Sequence, residues 1–585
     1  MRPFVPGAGL ALVMSAVLIS GCGAASEVNA SGPSSVRAHA VPAAQPRVSA
    51  TPPMASLDVA EHEARDLGPV PANQRVTFTI TLRRRAAAKL DALLAKGGRL
   101  TPAQWAASYG PAPAAVADVR GVLAGEGMAS RWAPGAVLLT VGASAIEAER
   151  FFHVAIDRYV MPTGSRFYGP VRTPAAPASV ARDVVAVGGL SDYNDDITAA
   201  IAGPNGVTPG QMTSFYNLTP LRSAGLDGSG VTVMFPEWAV PSDQVLDAFS
   251  SKFGLPAFNV QVVTNAAQWG APFAPSSQQY SDTAGEAALD LEVVHGLAPG
   301  AKEIVYAGTN ADNLPAMLEA MITAHPDAIL SSSVDNMSCE ADQGAKQDAT
   351  QFDSVFAQAA AQGTSIFWAT GDRGAYACMP DDQTTTEQDI SVQPAAASPH
   401  VTSVGGTLVF LASNGGYYKE AAWGEPLEQW GGGGGISTIF PRPSWQDAPG
   451  VGSISGRGIP DVAANADVQS GWDVFSPGQN GAPEEGPVGG TSAATPCWAA
   501  ITALIDEDLM KQGLKSVGFA NPTLYYFATN PSGLPAPPFH EITQGTNLHF
   551  MATAGWNAAT GLGSPDVANL ADDFEWFDKD HKGSV

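Results

Sequence analysis

Gly489-Gly490-Thr491-Ser492-Ala493-Ala494-Thr495-Pro496 runs straight into the apolar stretch Cys497 to Ile505. Glycine lets a backbone approach a substrate closely. A serine at the N-terminal end of a buried helix has neighbouring amides and the positive end of the helix dipole available for a developing oxyanion. Read alone, the same residues are a Ser/Thr helix cap in a glycine-rich turn. A hydroxyl is also a poor nucleophile without a base, which the rest of the chain must supply. From Thr208 onward apolar strands alternate with helical stretches: Gly230 to Phe235, Lys302 to Ala307, Ala328 to Leu330 and Ser365 to Ala369 as strands, Glu286 to His295 as helix. This alternation predicts an α/β class with a parallel sheet covered by helices on both faces. Ahead of it, Val76 to Leu82 alternates with period two, Ala86 to Leu94 has helical spacing, and Thr101-Pro102 marks a helix start. A strand at Ala136 to Val141 and a helix around Ala145 to Phe152 complete a small α+β domain ending near Tyr193.

The chain has 585 residues, 45% hydrophobic and 15% charged, with 62 Gly and 46 Pro. That size excludes a single small binding module and that mixture excludes coiled coil or wholesale disorder. Acidic residues outnumber basic ones 56 to 30, giving a formal charge of −26, which repels phosphate backbones and argues against nucleic acid as a partner. At the N-terminus Arg2 precedes an apolar run from Leu10 to Ile19 and then Ser20-Gly21-Cys22. This is the pattern of an export signal, and Ile19-Ser20-Gly21-Cys22 is similar to a bacterial lipobox. The expected organisation is therefore a signal over 1–22, a disordered tether over 23–70, the small domain over 71–193, a cleavable linker over 194–210 and the main domain over 211–575. The protein is expected outside the cell or in the periplasm, as a monomer, with membrane contact only through a lipidated Cys22. Of the remaining cysteines, Cys339 and Cys378 lie in polar, loop-like sequence and are expected to pair, and Cys497 is expected as a buried free thiol. No Cys/His cluster suggests zinc.

Candidate bases follow from two further segments. In Gly285-Glu286-Ala287-Ala288-Leu289-Asp290-Leu291-Glu292-Val293, Glu286 and Asp290 stand four apart and share a helix face. Such a pair repels unless one carboxyl keeps its proton or both face a third partner; a solvated acidic face is the plainer reading. Ser365 to Ala369 ends in Thr370-Gly371-Asp372-Arg373-Gly374, where Asp372 can donate to an oxyanion only when protonated. Subtilisin-type peptidases share G-T-S-x-x-x-P, but their Asp-[Ser/Thr]-Gly and His-Gly-Thr segments are absent here.

Together these segments resemble the sedolisin family of serine-carboxyl peptidases, which has a subtilisin-like fold. Leu100-Thr101-Pro102-Ala103-Gln104-Trp105 to Tyr109-Gly110-Pro111 is similar to a pro-kumamolisin activation domain, and Gly405-Gly406-Thr407, Gly431 to Gly435, and Pro460-Asp461-Val462-Ala463 follow the family pattern. The resemblance implies an acid-active, self-processed endopeptidase acting on proteins or peptides and inhibited by its own prodomain. Ser492 would be its nucleophile, Glu286 its base, Asp290 the carboxylate orienting that base and Asp372 its oxyanion donor. A Glu of ordinary pKa ~4.3 serves as base in mild acid, where His is protonated, so activity is expected at roughly pH 3 to 5. It also implies one Ca2+ in a C-terminal loop, held by Glu541, Ile542, Thr553, Gly555 and Asn557, although the family has Asp at the two acidic ligand positions, here Glu541 and Asn557. The usual Ser-x-Ser-Trp-Gly of the substrate groove is Ser331-Ser332-Ser333-Val334-Asp335 here. The acidic residue expected after the first strand of the main domain falls on Glu237, in a context that aligns in more than one way. Competing readings are a Ser/His/Asp peptidase with His295 as base, and an inactive peptide-binding lipoprotein of the same fold.

Overall fold

The computed structural model describes residues 65–580 except 161–165, 173, 175, 192–205, 278, 311–312, 335–338, 343, 379–389, 426–428 and 479. The export signal with Cys22 and most of the tether lie outside these residues.

The N-terminal domain holds two antiparallel sheets. β1 (Arg65–Pro69) starts one of three strands, β1-β5-β6, with β5 at Ile156–Val160 and β6 at Arg166–Pro170. The other runs β3-β4-β2-β7, with β2 at Arg75–Leu82, β3 at Ala129–Arg131, β4 at Leu138–Ser144 and β7 at Val184–Gly188. Four helices accompany them: α1 (Ala87–Leu94), α2 (Pro102–Ser108), α3 (Pro113–Gly125) and α4 (Ala145–Phe152). Thr101 caps α2 by accepting from the Gln104 amide while Gln104 returns a bond to the Thr101 amide, a capping box. The expected tether ends before residue 70, because Arg65–Pro69 pairs with β5; a five-residue strand containing Gly68 and Pro69 carries too little alternation to be read. The expected linker also closes early, since Val207 bridges Trp472 and a helix begins at Pro209.

The main domain is built on an eight-stranded sheet ordered β14-β13-β12-β11-β8-β10-β9, with β15 beside β13. These strands are β8 (Thr232–Glu237), β9 (Val260–Thr264), β10 (Lys302–Ala307), β11 (Ile329–Ser332), β12 (Ser365–Ala369), β13 (Thr402–Leu411), β14 (Tyr417–Ala422) and β15 (Val462–Asn465). All pairs are parallel except β13 with β14. Period-two alternation sends successive residues into two cores. Val233, Phe235, Val305, Ile329 and Phe367 face one core, shared with α5 (Tyr280–Leu297) and α8 (Thr491–Lys511). Met234, Ile304, Tyr306, Leu330, Ile366 and Trp368 face the other, shared with α6 (Leu314–Ala324) and α7 (Ala345–Gln362).

The N-terminal domain docks on this second side. Leu90, Leu94, Trp105, Val137 and Leu138 join that core. Buried Glu319 on α6 accepts from the backbone amides of Val137 and Leu138 at 2.6 and 3.1 Å. Gln351 donates to Thr79 at 3.0 Å, and Arg84 pairs with Asp353 on α7 at 3.0 Å. Among the described residues no helix is long and apolar enough to cross a membrane.

Candidate active site

Parallel strands bring their carboxyl ends to one edge, where α/β proteins bind ligands. β8 ends there in Glu237, β11 runs into Ser333, and β12 into Thr370-Gly371-Asp372. Helix α5 lies across this edge with Glu286 and Asp290 both buried, one turn apart. Helix α8 starts there, with Ser492 as its second residue.

The turn that leads into Ser492 is tightly packed. Gly490 has φ +100°, and a β-carbon on it would sit 2.7 Å from Asp372 Oδ2, so only glycine lets the Asp372 carboxyl lie against the turn. The Gly490 amide donates to the Ala466 carbonyl at 2.6 Å. Asp372 Oδ1 accepts from the Thr491 amide at 2.7 Å and from its hydroxyl at 2.9 Å. The Asp372 carboxyl is thereby fixed to the first turn of the helix that carries Ser492.

The Ser492 side chain stands beside Glu286. Burial, and behind it the negative charge of Asp372, raises Glu286 to about 7, while the Ser492 side chain pulls it back. Asp290 is pushed well up by burial and by Glu286. Glu237, 2% exposed, is also pushed well up, first by burial and then by Asp290 and Glu286. Glu237 and Asp290 also act directly on one another, and two buried carboxyls this close favour keeping a proton between them. Glu237, Asp290 and Glu286 therefore sit close together at one strand edge, and none of the three titrates independently.

Ser333 ties α5 to α8. Its hydroxyl lies 2.7 Å from Asp290 Oδ1 and 3.2 Å from the Ser492 carbonyl. That carbonyl is without its usual helical donor, because residue i+4 is Pro496, which has no N–H. The motif was visible in Ser331-Ser332-Ser333, but this role depends on a proline 163 positions away and could not be read. Val334, where the resemblance expects Trp, is buried in the second core, and Asp335 lies outside the described residues. His295 has other company: its ring nitrogens face the Pro256 carbonyl at 2.8 Å and Glu303 at 3.7 Å, and its ring stacks on Phe258. It lies nine residues, or roughly 13 Å of helix, beyond Glu286. Cys339 and Cys378 form a disulfide, and Cys497 is free and buried. The bridge joins the segment after Ser333 to the segment after Asp372.

The expected metal loop lies elsewhere in the fold. Glu541 Oε1 accepts from the Gly555 amide at 2.7 Å. Asn557 Nδ2 donates to the carbonyls of Thr553 and Gly555 at 3.0 and 3.4 Å, and Asn557 Oδ1 accepts from Ala559 and Thr560. Ile542 is buried in a small core beside this loop.

Residues 62–193 match the pro-kumamolisin activation domain and residues 278–517 match the subtilase family. The chain is 32% identical to kumamolisin from Bacillus sp. (strain MN-32) over 548 residues, covering 86% of this chain and 92% of that protein. It is 27% identical to sedolisin from Pseudomonas sp. (strain 101), covering 88% and 90%. Its fold matches the solved structure of Pseudomonas sedolisin, a serine-carboxyl proteinase complexed with two molecules of pseudo-iodotyrostatin, with TM-score 0.53 and 26% identity over 63% of this chain and 98% of that one. With an activation domain docked on a subtilisin-like body that carries serine and carboxyl groups at the strand ends, this chain belongs to the sedolisin family of serine-carboxyl peptidases and is made as a self-activating proenzyme.

Proposed function

We propose that Ser492, Glu286, Asp290 and Asp372 carry out peptide hydrolysis in acid. Ser492 Oγ attacks the peptide carbonyl carbon as its proton passes to Glu286. The carbonyl oxygen becomes an oxyanion, held by the first-turn amides of α8 and by a protonated Asp372. Glu286 then gives the proton to the leaving amine, and water repeats the cycle on the acyl-enzyme. Asp290, fixed by Ser333 and Glu237, holds Glu286 in place. What supports this reading is that the Ser492 side chain stands beside the buried carboxyl of Glu286 and favours its ionised form, on helices that share one core.

The two catalytic carboxyls need opposite protonation states, so the competent form holds one proton between Glu286 and Asp372. Glu286 at about 7 places the loss of that proton near neutrality and the working range below it. Ser492→Ala and Glu286→Gln proforms, purified and held in acid, should both stay uncut. Normal maturation of either alone in solution would disprove the assignment.

We further propose that the protein is exported as a monomeric proform, that cleavage falls within residues 194–205, and that Cys22 is lipidated and anchors the proform. Fractionating cells before and after acidification tests the anchor. A Cys22→Ser proform that still sediments with membranes would contradict it.

A further inference from the structure

The loop from residue 541 to 561 has the outline of a calcium site, yet its donors are used against one another. Asn557 is buried, and three donors converge on one terminal atom of its side chain: the Ala559 amide at 3.1 Å, the Thr560 amide at 3.0 Å and the Thr560 hydroxyl at 3.1 Å. Only an oxygen can accept them, which fixes the orientation of the amide. The other terminal atom is therefore nitrogen, and it points at the carbonyls of Thr553 and Gly555, two of the five expected ligands. A carboxylate in this position would turn a second oxygen toward those carbonyls, an arrangement that needs a cation among them. The amide turns two hydrogens toward them instead. Rotating Asn557 to offer Oδ1 to an ion would set its NH2 against three donors at a buried site, leaving them unpaired. Glu541 supplies the loop's one carboxylate, and its Oε1 holds the Gly555 amide. Calcium gains affinity from ligand charge and takes six or more oxygens, and this donor set does not fit it.

We propose that the Asn557 amide closes this loop in place of calcium, so that the protein holds the loop without a metal ion. The loop matters to the site because it abuts the segment that backs the nucleophile. The Trp556 indole donates to the Pro460 carbonyl at 2.9 Å, and the Leu562 amide to the Asp461 carbonyl at 2.7 Å. Asp461 leads into β15, and Ala466, just after that strand, accepts from Gly490. A loop that needs no ion keeps this backing intact in acid, where carboxylate ligands protonate and release calcium.

The experiment uses the Ser492→Ala proform, which cannot digest itself, at a pH above the ordinary carboxylate range. Thermal midpoints are measured in EGTA and in millimolar calcium, and bound calcium by equilibrium dialysis. The wild-type loop should show the same midpoint in both and retain no calcium, while Asn557→Asp should have a lower midpoint in EGTA that rises with calcium concentration, as binding linkage requires. Stoichiometric calcium on the wild-type loop, or a midpoint that falls on chelation and returns with calcium, overturns the proposal. A folded Asn557→Asp protein indifferent to calcium also overturns it, by showing that residue 557 does not decide. If that variant does not fold, the wild-type dialysis decides alone.

Discussion

Ser333→Ala removes one hydroxyl from the centre of the site. Both ends of its bond to Asp290 are buried, Ser333 at 6% and Asp290 at 0% exposure, and the oxygens are 2.7 Å apart. Leaving a buried polar group without its hydrogen-bond partner costs about 1 to 3 kcal/mol. At about 1.4 kcal/mol per tenfold in rate, loss of this bond should lower kcat roughly 5- to 100-fold. The substituted atom faces the base helix and the Ser492 carbonyl, so KM should stay within about twofold and the loss should fall on the chemical step. The bond to Ser333 lowers the proton affinity of Asp290. Its removal should therefore start the acid-side decline of activity at a higher pH. Ser333→Thr keeps the hydroxyl and should recover most of the rate. The assay is steady-state cleavage of a quenched fluorescent peptide across acid pH, with active enzyme counted by a serine-directed label. A Ser333→Ala enzyme within about twofold of wild type in kcat, or one that loses only KM, refutes this role.

Two other perturbations test the electrostatics. Burial raises Glu420 to about 7, Asp506 to about 7 and Glu319 to about 8. An acid whose folded pKa exceeds its unfolded one adds stability that is complete below the unfolded value and is lost as pH rises through the folded value. For Glu420 the difference is on the order of 3 kcal/mol, so the Tm of the Ser492→Ala proform should rise as pH falls from about 8 to about 5; a falling Tm over that range would contradict the assignment. Arg84 of the N-terminal domain pairs with Asp353 on the body; burial raises Asp353, but His400 and Arg84 outweigh it and leave it below the carboxylate range. That contribution is present above the ordinary Asp value of ~3.9 and is lost as pH falls through the depressed one, so an Arg84→Met proform should mature at higher pH than wild type. Equal maturation rates at every pH, followed on gels, would show that the pair does not hold the prodomain.

The central strands were legible because each sends neighbouring residues into two different cores, which writes unbroken apolar runs such as Ile366-Phe367-Trp368 into the sequence. Helix α3 was not, since Ala and Gly fill much of Pro113–Gly125 and blur its period. The turn before Ser492 was legible because Gly490 has no substitute where Asp372 presses against it. What escaped were roles made by distant contacts. Glu319 reads as one more polar residue on a helix until Val137 and Leu138 arrive from 182 and 181 positions away. Asn557 reads as a weakened ligand until its three donors show which way its amide must face. Glu237 was named without a clear role, and its place beside Asp290 and Glu286 emerges only in the folded chain.

The most direct test of the central claim, that a carboxyl and not a histidine activates the serine, is the pH dependence of kcat/KM on a peptide substrate for the matured wild type and its Asp372→Asn variant. The wild type should peak in acid and decline as pH approaches about 7, where the proton shared by Glu286 and Asp372 is lost. Asp372→Asn keeps a donor without needing that proton, so its decline should move to higher pH. A wild-type maximum at or above neutrality, with Asp372→Asn leaving the upper limb unmoved, would contradict the account.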